Sequence, residues 1–186
     1  LPSFPTRRSS DLKFSAVINV EVLKVSDIAG TSTITLGTKA DVAGIVSIDA
    51  TLLSGSNKAV IDTAAMTGNV EIKTSLGDDV ITLGSGVSTV TAGSGADTIK
   101  VAAAHLTSAD SISGGLGADV LWMTTASTGG DAVADEDFTN TSGIETLKLS
   151  NFSSQTVTLG TNARLAGINT VDATAVTTST FGVTID

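Results

Sequence analysis

From Ala65 to Lys100 the chain divides without remainder into four nine-residue segments, AMTGNVEIK, TSLGDDVIT, LGSGVSTVT and AGSGADTIK. After four further residues, Val101–Ala104, two more segments follow, HLTSADSIS and GGLGADVLW. The fourth position reads Gly68, Gly77, Gly86, Gly95, Ser108 and Gly117; the eighth reads Ile72, Ile81, Val90, Ile99, Ile112 and Leu121. A segment this short cannot bury an apolar face alone, so the copies must stack on one another to make a continuous core. Each is read as a tight turn followed by a short strand. Glycine suits a turn that needs positive φ or crowds a neighbouring backbone. The strand's eighth position alone is expected to point inward. Two segments then complete one coil, with two parallel three-residue strands back to back.

Composition agrees with stacked short strands. Of 186 residues 19 are Gly and two are Pro, Cys is absent, and aromatics make up only 3%. The apolar side chains are mostly Val, Ile, Leu and Ala, which pack in layers on pleated strands. A hydrophobic share of 41%, regularly spaced, argues against disorder. The expected fold class is all-β, a right-handed parallel β-solenoid. Nineteen acidic residues against ten basic ones give a formal charge of −9. That excludes nucleic acid as a partner, since phosphates need a cationic surface, and it is compatible with hard cations held by oxygen. Without Cys there are no disulfide or thiolate-metal staples. No apolar run reaches the roughly 18 residues of a membrane helix, and the N-terminus lacks the apolar stretch of a signal peptide.

If two segments make a coil, groups 18 residues apart stack on one edge. Asp79 and Asp97 have that spacing, and Asp119 follows after 22, which is 18 plus the four inserted residues. These three carboxylates are expected to form a column. The opposite edge presents Val70, Ser88 and Asp110, with a single carboxylate. The whole pattern resembles the RTX (hemolysin-type) nonapeptide GGxGxDxUx, where U is a large aliphatic residue. The resemblance implies a calcium β-roll with Ca²⁺ between stacked turns. Its ligands would be aspartates two repeats apart and carbonyl oxygens of the glycine turns. Here those are Asp79 with Asp97 around Gly77 and Gly95, then Asp97 with Asp119 and the turn at Gly117; Asp110 is the candidate on the depleted edge. Oxygen-only ligation suits Ca²⁺ better than Mg²⁺ or Zn²⁺. Stacked carboxylates repel without a cation, so binding should be coupled to folding. A lone Gly-Ala-Asp triplet is more often only a turn; the in-register column favours the metal reading. The departures are Val70 and Ser88 in place of Asp, and an opening Gly-Gly kept only at Gly114-Gly115.

A longer repeat encloses the short one. Phe14–Thr51 aligns with Phe138–Thr174 at offsets of 124 and then 123, with 17 identities in 37 pairs. VEVLKVSD, STITLGTKADVAGI and SIDAT return as IETLKLSN, TVTLGTNARLAGI and TVDAT. Segment Ser3–Leu12 resembles a translated sequencing adapter and ends where this alignment begins. The expected organisation is therefore a non-native segment at 1–12, solenoid coils at 13–64, the nonapeptide roll at 65–123, an acidic loop at 124–142 and a second long unit from 143 to 186. On this reading the chain is a fragment of a tandem array. Asp49 and Asp172 are further ligand candidates, with turn capping the favoured role. His105 is assigned to a turn, and Trp122 with Met123 to covering the roll's end or a neighbouring coil.

No catalytic constellation is present: there is no Cys nucleophile, no triad context for the single His and no zinc-type His/Glu motif. The expected function is a non-enzymatic, calcium-binding structural repeat of a large bacterial RTX protein, adhesin- or S-layer-like. It would be exported by type I secretion and would be extracellular or on the cell surface. Its partners would be calcium ions, neighbouring repeat units and cell-surface glycans or other cells. The alternatives are the non-catalytic β-roll of a secreted hydrolase, or a parallel β-helix enzyme acting on acidic polysaccharide. The shortage of basic residues counts against the last.

Overall fold

Short runs of β-branched residues between glycine and aspartate turns make strands too brief to stand alone. Each must find its main-chain hydrogen bonds one coil away. The structure, a computed structural model, describes residues 18–124, 133–150, 156–177 and 182–185; the adapter-like segment and Phe14 lie outside them. One sheet runs in the order β1 (Val22–Lys24), β3 (Ser47–Asp49), β5 (Val70–Lys73), β7 (Ser88–Ser94), β9 (Ser111–Leu116) and β11 (Thr141–Ser142). The second holds β2 (Thr31–Gly37), β4 (Lys58–Ala65), β6 (Val80–Thr82), β8 (Thr98–Val101), β10 (Val120–Met123), β12 (Thr146–Leu149) and β14 (Thr170–Asp172). A third pair joins β13 (Thr156–Leu159) to β15 (Gly182–Ile185). The pairings are parallel, and from β1 to β12 the chain changes sheet at every turn. This is the all-β parallel solenoid that the nonapeptide spacing predicts.

The eighth-position residues form the centre of the core. Ile72, Val90 and Ile112 face one another's neighbours in the first sheet, while Ile81, Ile99 and Leu121 do so in the second. All six are buried. They are not alone in pointing inward, as the sequence reading expected. The sixth positions Val70, Asp79, Ser88, Asp97, Asp110 and Asp119 are buried too, and so are Leu83, Val101 and Met123 two residues beyond the eighth. The cause is the two-residue pleat, which sends every second side chain inward along strands longer than three residues. The corresponding inner row of the first sheet is small: Ala50, Thr74, Ala92 and Gly114. That difference in bulk leaves space beside the aspartate edge.

The four-residue interruption does not break the stacking. Val101 completes β8, and Ala103–His105 forms one 3₁₀ turn whose Ala103 is buried, with Leu106 buried just after it. The sheets resume in register, Ile99 beside Leu121 and Val90 beside Ile112. His105 ends this turn.

The long repeat recurs as structure. The order β1, β2, helix α1 (Thr38–Ala43), β3, β4 is matched by β12, β13, helix α2 (Thr161–Leu165), β14, β15. The helices replace loops expected from the sequence. Ala40 and Ala43 of α1 are buried, as are their counterparts Ala163 and Ala166. Gly44, at φ 90, ends α1 with its N–H on the carbonyls of Ala40 and Asp41, a left-handed cap that suits glycine. Eleven strands separate one unit from the next, so β1 lies in the first sheet and its equivalent β12 in the second.

Asp49 and Asp172 take the capping role. Oδ1 of each accepts the N–H of the Thr two residues on at 3.1 Å and its hydroxyl at 2.6 Å, the partners being Thr51 and Thr174. The acidic stretch differs from the solvated loop expected at 124–142. In its described part Val133 bridges to Val157, and Phe138 is buried. Asp135 accepts the N–H groups of Gly160, Asn162 and Ala163, at 2.7, 2.9 and 2.9 Å, across the start of α2. Burial opposes its ionisation, but the three amides outweigh that and hold Asp135 below the usual carboxylate range. Met123 enters the core. Trp122 instead lies on the outer face, with Lys148 Nζ 4.3 Å and Lys100 Nζ 5.0 Å from its ring and Nε1 donating to Ser150.

Because Ile99 is fully enclosed between two coils, Ile99→Ala should lower stability by roughly 3 kcal/mol. Chemical denaturation of the two chains followed by circular dichroism measures this.

Candidate metal centre

The turns at Gly77, Gly95 and Gly117 lead from the first sheet into the second, and each delivers the sixth residue of its nonapeptide to the same edge. Asp79, Asp97 and Asp119 immediately precede Val80, Thr98 and Val120, which are register partners in β6, β8 and β10. The column expected from the 18- and 22-residue spacing is therefore present, and all three aspartates are almost wholly buried. A hydrogen bond links each step. The N–H of Asp79 donates to Asp97 Oδ1 at 2.7 Å, and the N–H of Asp97 to Asp119 Oδ1 at 2.8 Å. At the lower end Ala59 donates to Asp79 Oδ1 at 2.6 Å.

The second carboxylate oxygens behave differently. Asp97 Oδ2 and Asp119 Oδ2 are buried with no hydrogen-bond partner, while Asp79 Oδ2 has a long contact, 3.4 Å, from the N–H of Ser75. Buried, unpaired carboxylate oxygens are costly and uncommon. Main-chain carbonyls crowd the same edge. A Cβ on Gly117 would overlap the carbonyl oxygen of Gly95, and one on Gly95 would lie 2.5 Å from that of Gly77. The expected donors Gly77, Gly95 and Gly117 thus stack directly above one another. Oxygen donors alone, with lone pairs left over, fit a hard divalent cation.

The other edge is unlike it. Val70 and Ser88 occupy two places, and Asp110 the third. Asp110 Oδ1 accepts from Ser88 N–H at 2.7 Å, and Oδ2 accepts from the N–H and hydroxyl of Thr107 at 2.9 and 3.0 Å. Both oxygens already have partners in the protein, one in the coil below and one in the local turn, which makes Asp110 the weakest member of the expected ligand set. Asp78, beside the column, also serves the turn: Oδ1 accepts from Ala96 and Oδ2 pairs with Lys58 at 3.2 Å. Among the described residues no three acidic, His or Cys side chains converge on one point. Each candidate site is a carboxylate pair completed by carbonyls.

Sequence reasoning overlooked Glu145. It continues the column above Asp119, whose N–H donates to Glu145 Oε2 at 2.7 Å. The signal available was the Glu21/Glu145 identity in the long repeat; the 26-residue step from Asp119 hid it from an 18-residue rule.

The family model for the RTX calcium-binding nonapeptide repeat, four copies long, matches residues 65–90, 74–101 and 107–122. The chain therefore carries RTX repeats, and the ion such repeats bind is Ca²⁺. No curated protein and no solved structure matches the chain. The matched family is generally structural, and among the described residues no helix is long and apolar enough to cross a membrane.

Burial, reinforced by Asp79 and Asp119 on either side, pushes Asp97 up to about 7, although the Asp79 amide favours its charged form. Burial raises Asp79 and Asp119 as well. A folded-state value above the unfolded one favours the protonated fold. The contribution of this column to the metal-free fold should therefore be full below the ordinary carboxylate value of 3.8 and be lost as pH rises through about 7. Melting temperatures in chelator across this range check it, and Asp97→Asn should flatten the dependence.

Proposed function

We propose that the chain is a calcium-stiffened structural repeat of a large bacterial protein, secreted or held at the cell surface as an adhesin or S-layer-like array. The observation that carries this reading is the buried column of Asp79, Asp97 and Asp119, with two oxygens that lack partners inside the protein. Asp79 and Asp97, with carbonyls at Gly77 and Gly95, form one Ca²⁺ site; Asp97 and Asp119, with the turn at Gly117, form the next. Calcium neutralises the column and ties successive coils, so that ion binding and coil stacking become one equilibrium. The recurrence of β1–β4 and α1 as β12–β15 and α2 supports an array in which each unit is a spacer, not an enzyme. Export through type I secretion and contact with surface glycans or other cells belong to the same reading.

Calcium titration of the full chain by calorimetry and circular dichroism tests the proposal. Ca²⁺ should bind with heat and raise the melting temperature. Asp97→Ala, which removes the carboxylate common to both sites, should lose most of that response. No heat and an unchanged spectrum in the wild-type chain would overturn the reading.

A further inference from the structure

The carboxylate column continues past the nonapeptides. Glu145 immediately precedes Thr146, the register partner of Val120, and so holds the place that Asp119, Asp97 and Asp79 hold one, two and three coils below. The hydrogen-bond pattern is the same: the N–H of Asp119 donates to Glu145 Oε2 at 2.7 Å, as that of Asp97 donates to Asp119. The main chain is in step too, since the N–H groups of Glu145 and Thr146 donate to the Asp119 carbonyl at 3.1 and 3.0 Å. A turn without the nonapeptide pattern leads into Glu145, and its extra methylene lets the carboxylate reach the same amide.

Two observations mark the space between these coils as a ligand position rather than a bare ladder. Asp119 is fully buried, and its Oδ2 has no partner. Gly114 in β9 brings the main chain up against that oxygen. A Cβ built there would overlap the Gly143 carbonyl oxygen and stand 2.7 Å from Asp119 Oδ2. A carboxylate oxygen and a carbonyl from the turn that leads to Glu145 therefore converge where the side chain is missing. All donors are oxygens, and two are anionic, which selects a hard divalent ion of flexible coordination.

We propose that Asp119, Glu145 and the Gly143 carbonyl form a further Ca²⁺ site that fastens the nonapeptide roll to the wide coils following it. The inference rests on the calcium reading of the aspartate column and extends it to a residue outside the repeats. The long repeat keeps glutamate here in both copies: the carbonyl of Glu21 accepts from Val46 and Ser47 as that of Glu145 accepts from Asn169 and Thr170. The position thus recurs immediately before the first strand of each long unit, β1 and β12.

Glu145→Gln removes the charge but keeps an acceptor for the Asp119 amide, so the metal-free fold should survive. Calorimetry with CaCl₂ on the full chain should show one Ca²⁺ fewer than wild type, the remaining sites retaining their affinity. Wild-type stoichiometry and affinity in Glu145→Gln, alongside lost binding in Asp97→Ala, would overturn this site and leave the column reading intact. A wild-type chain that binds no Ca²⁺ would overturn both.

Discussion

Like charges stacked at the repeat of a coil govern this structure. Neighbouring strands in a sheet stand about 4.8 Å apart, so any group placed at the same point of each coil meets its own copy at that distance. For Ile81, Ile99 and Leu121 the encounter is favourable, because stacked aliphatic side chains exclude water from one another. For Asp79, Asp97 and Asp119 it is not. Their amide hydrogen bonds satisfy one oxygen at each step but cannot remove the charge. Only a proton or a cation can, and at neutral pH a divalent ion would do so while adding bonds between coils. The glycine carbonyls, the small inner row at Thr74, Ala92 and Gly114, and the unpaired oxygens all follow from making room for that neutralisation.

The centre of the roll's core was legible in the sequence, because a nine-residue period fixes the eighth-position residues and their neighbours in space, but not the buried sixth positions or the row two residues beyond the eighth. The column was legible for the same reason, and the four-residue insertion could simply be added to the count. What escaped was whatever broke the period. Glu145 lies 26 residues beyond Asp119, across a segment with no repeat, although its identity with Glu21 was visible. The two short helices escaped because six residues carry too little periodicity to distinguish a helical turn from a loop. Only the Gly44 and Gly167 that follow their buried alanines hinted at them. Asp135 escaped for a different reason: its partners, the amides at the start of α2, are more than twenty residues away, and an acidic stretch reads as solvated until its tertiary contacts are known.

The two kinds of coil divide the work. Nonapeptide coils are narrow, and their stacking strength depends on an ion. Wide coils carry a helix, bury Ala40 and Ala43 or Ala163 and Ala166, and are held by side-chain caps such as Asp41 on the amides of Thr67 and Gly68.

The odd strand count has a geometric effect on any succession of such units. Eleven strands amount to five and a half coils, so each unit begins half a revolution out of phase with the last, as β1 and β12 do. Carboxylate columns would then fall on opposite flanks in successive units. Whatever one flank displays would face the same direction only in every second unit.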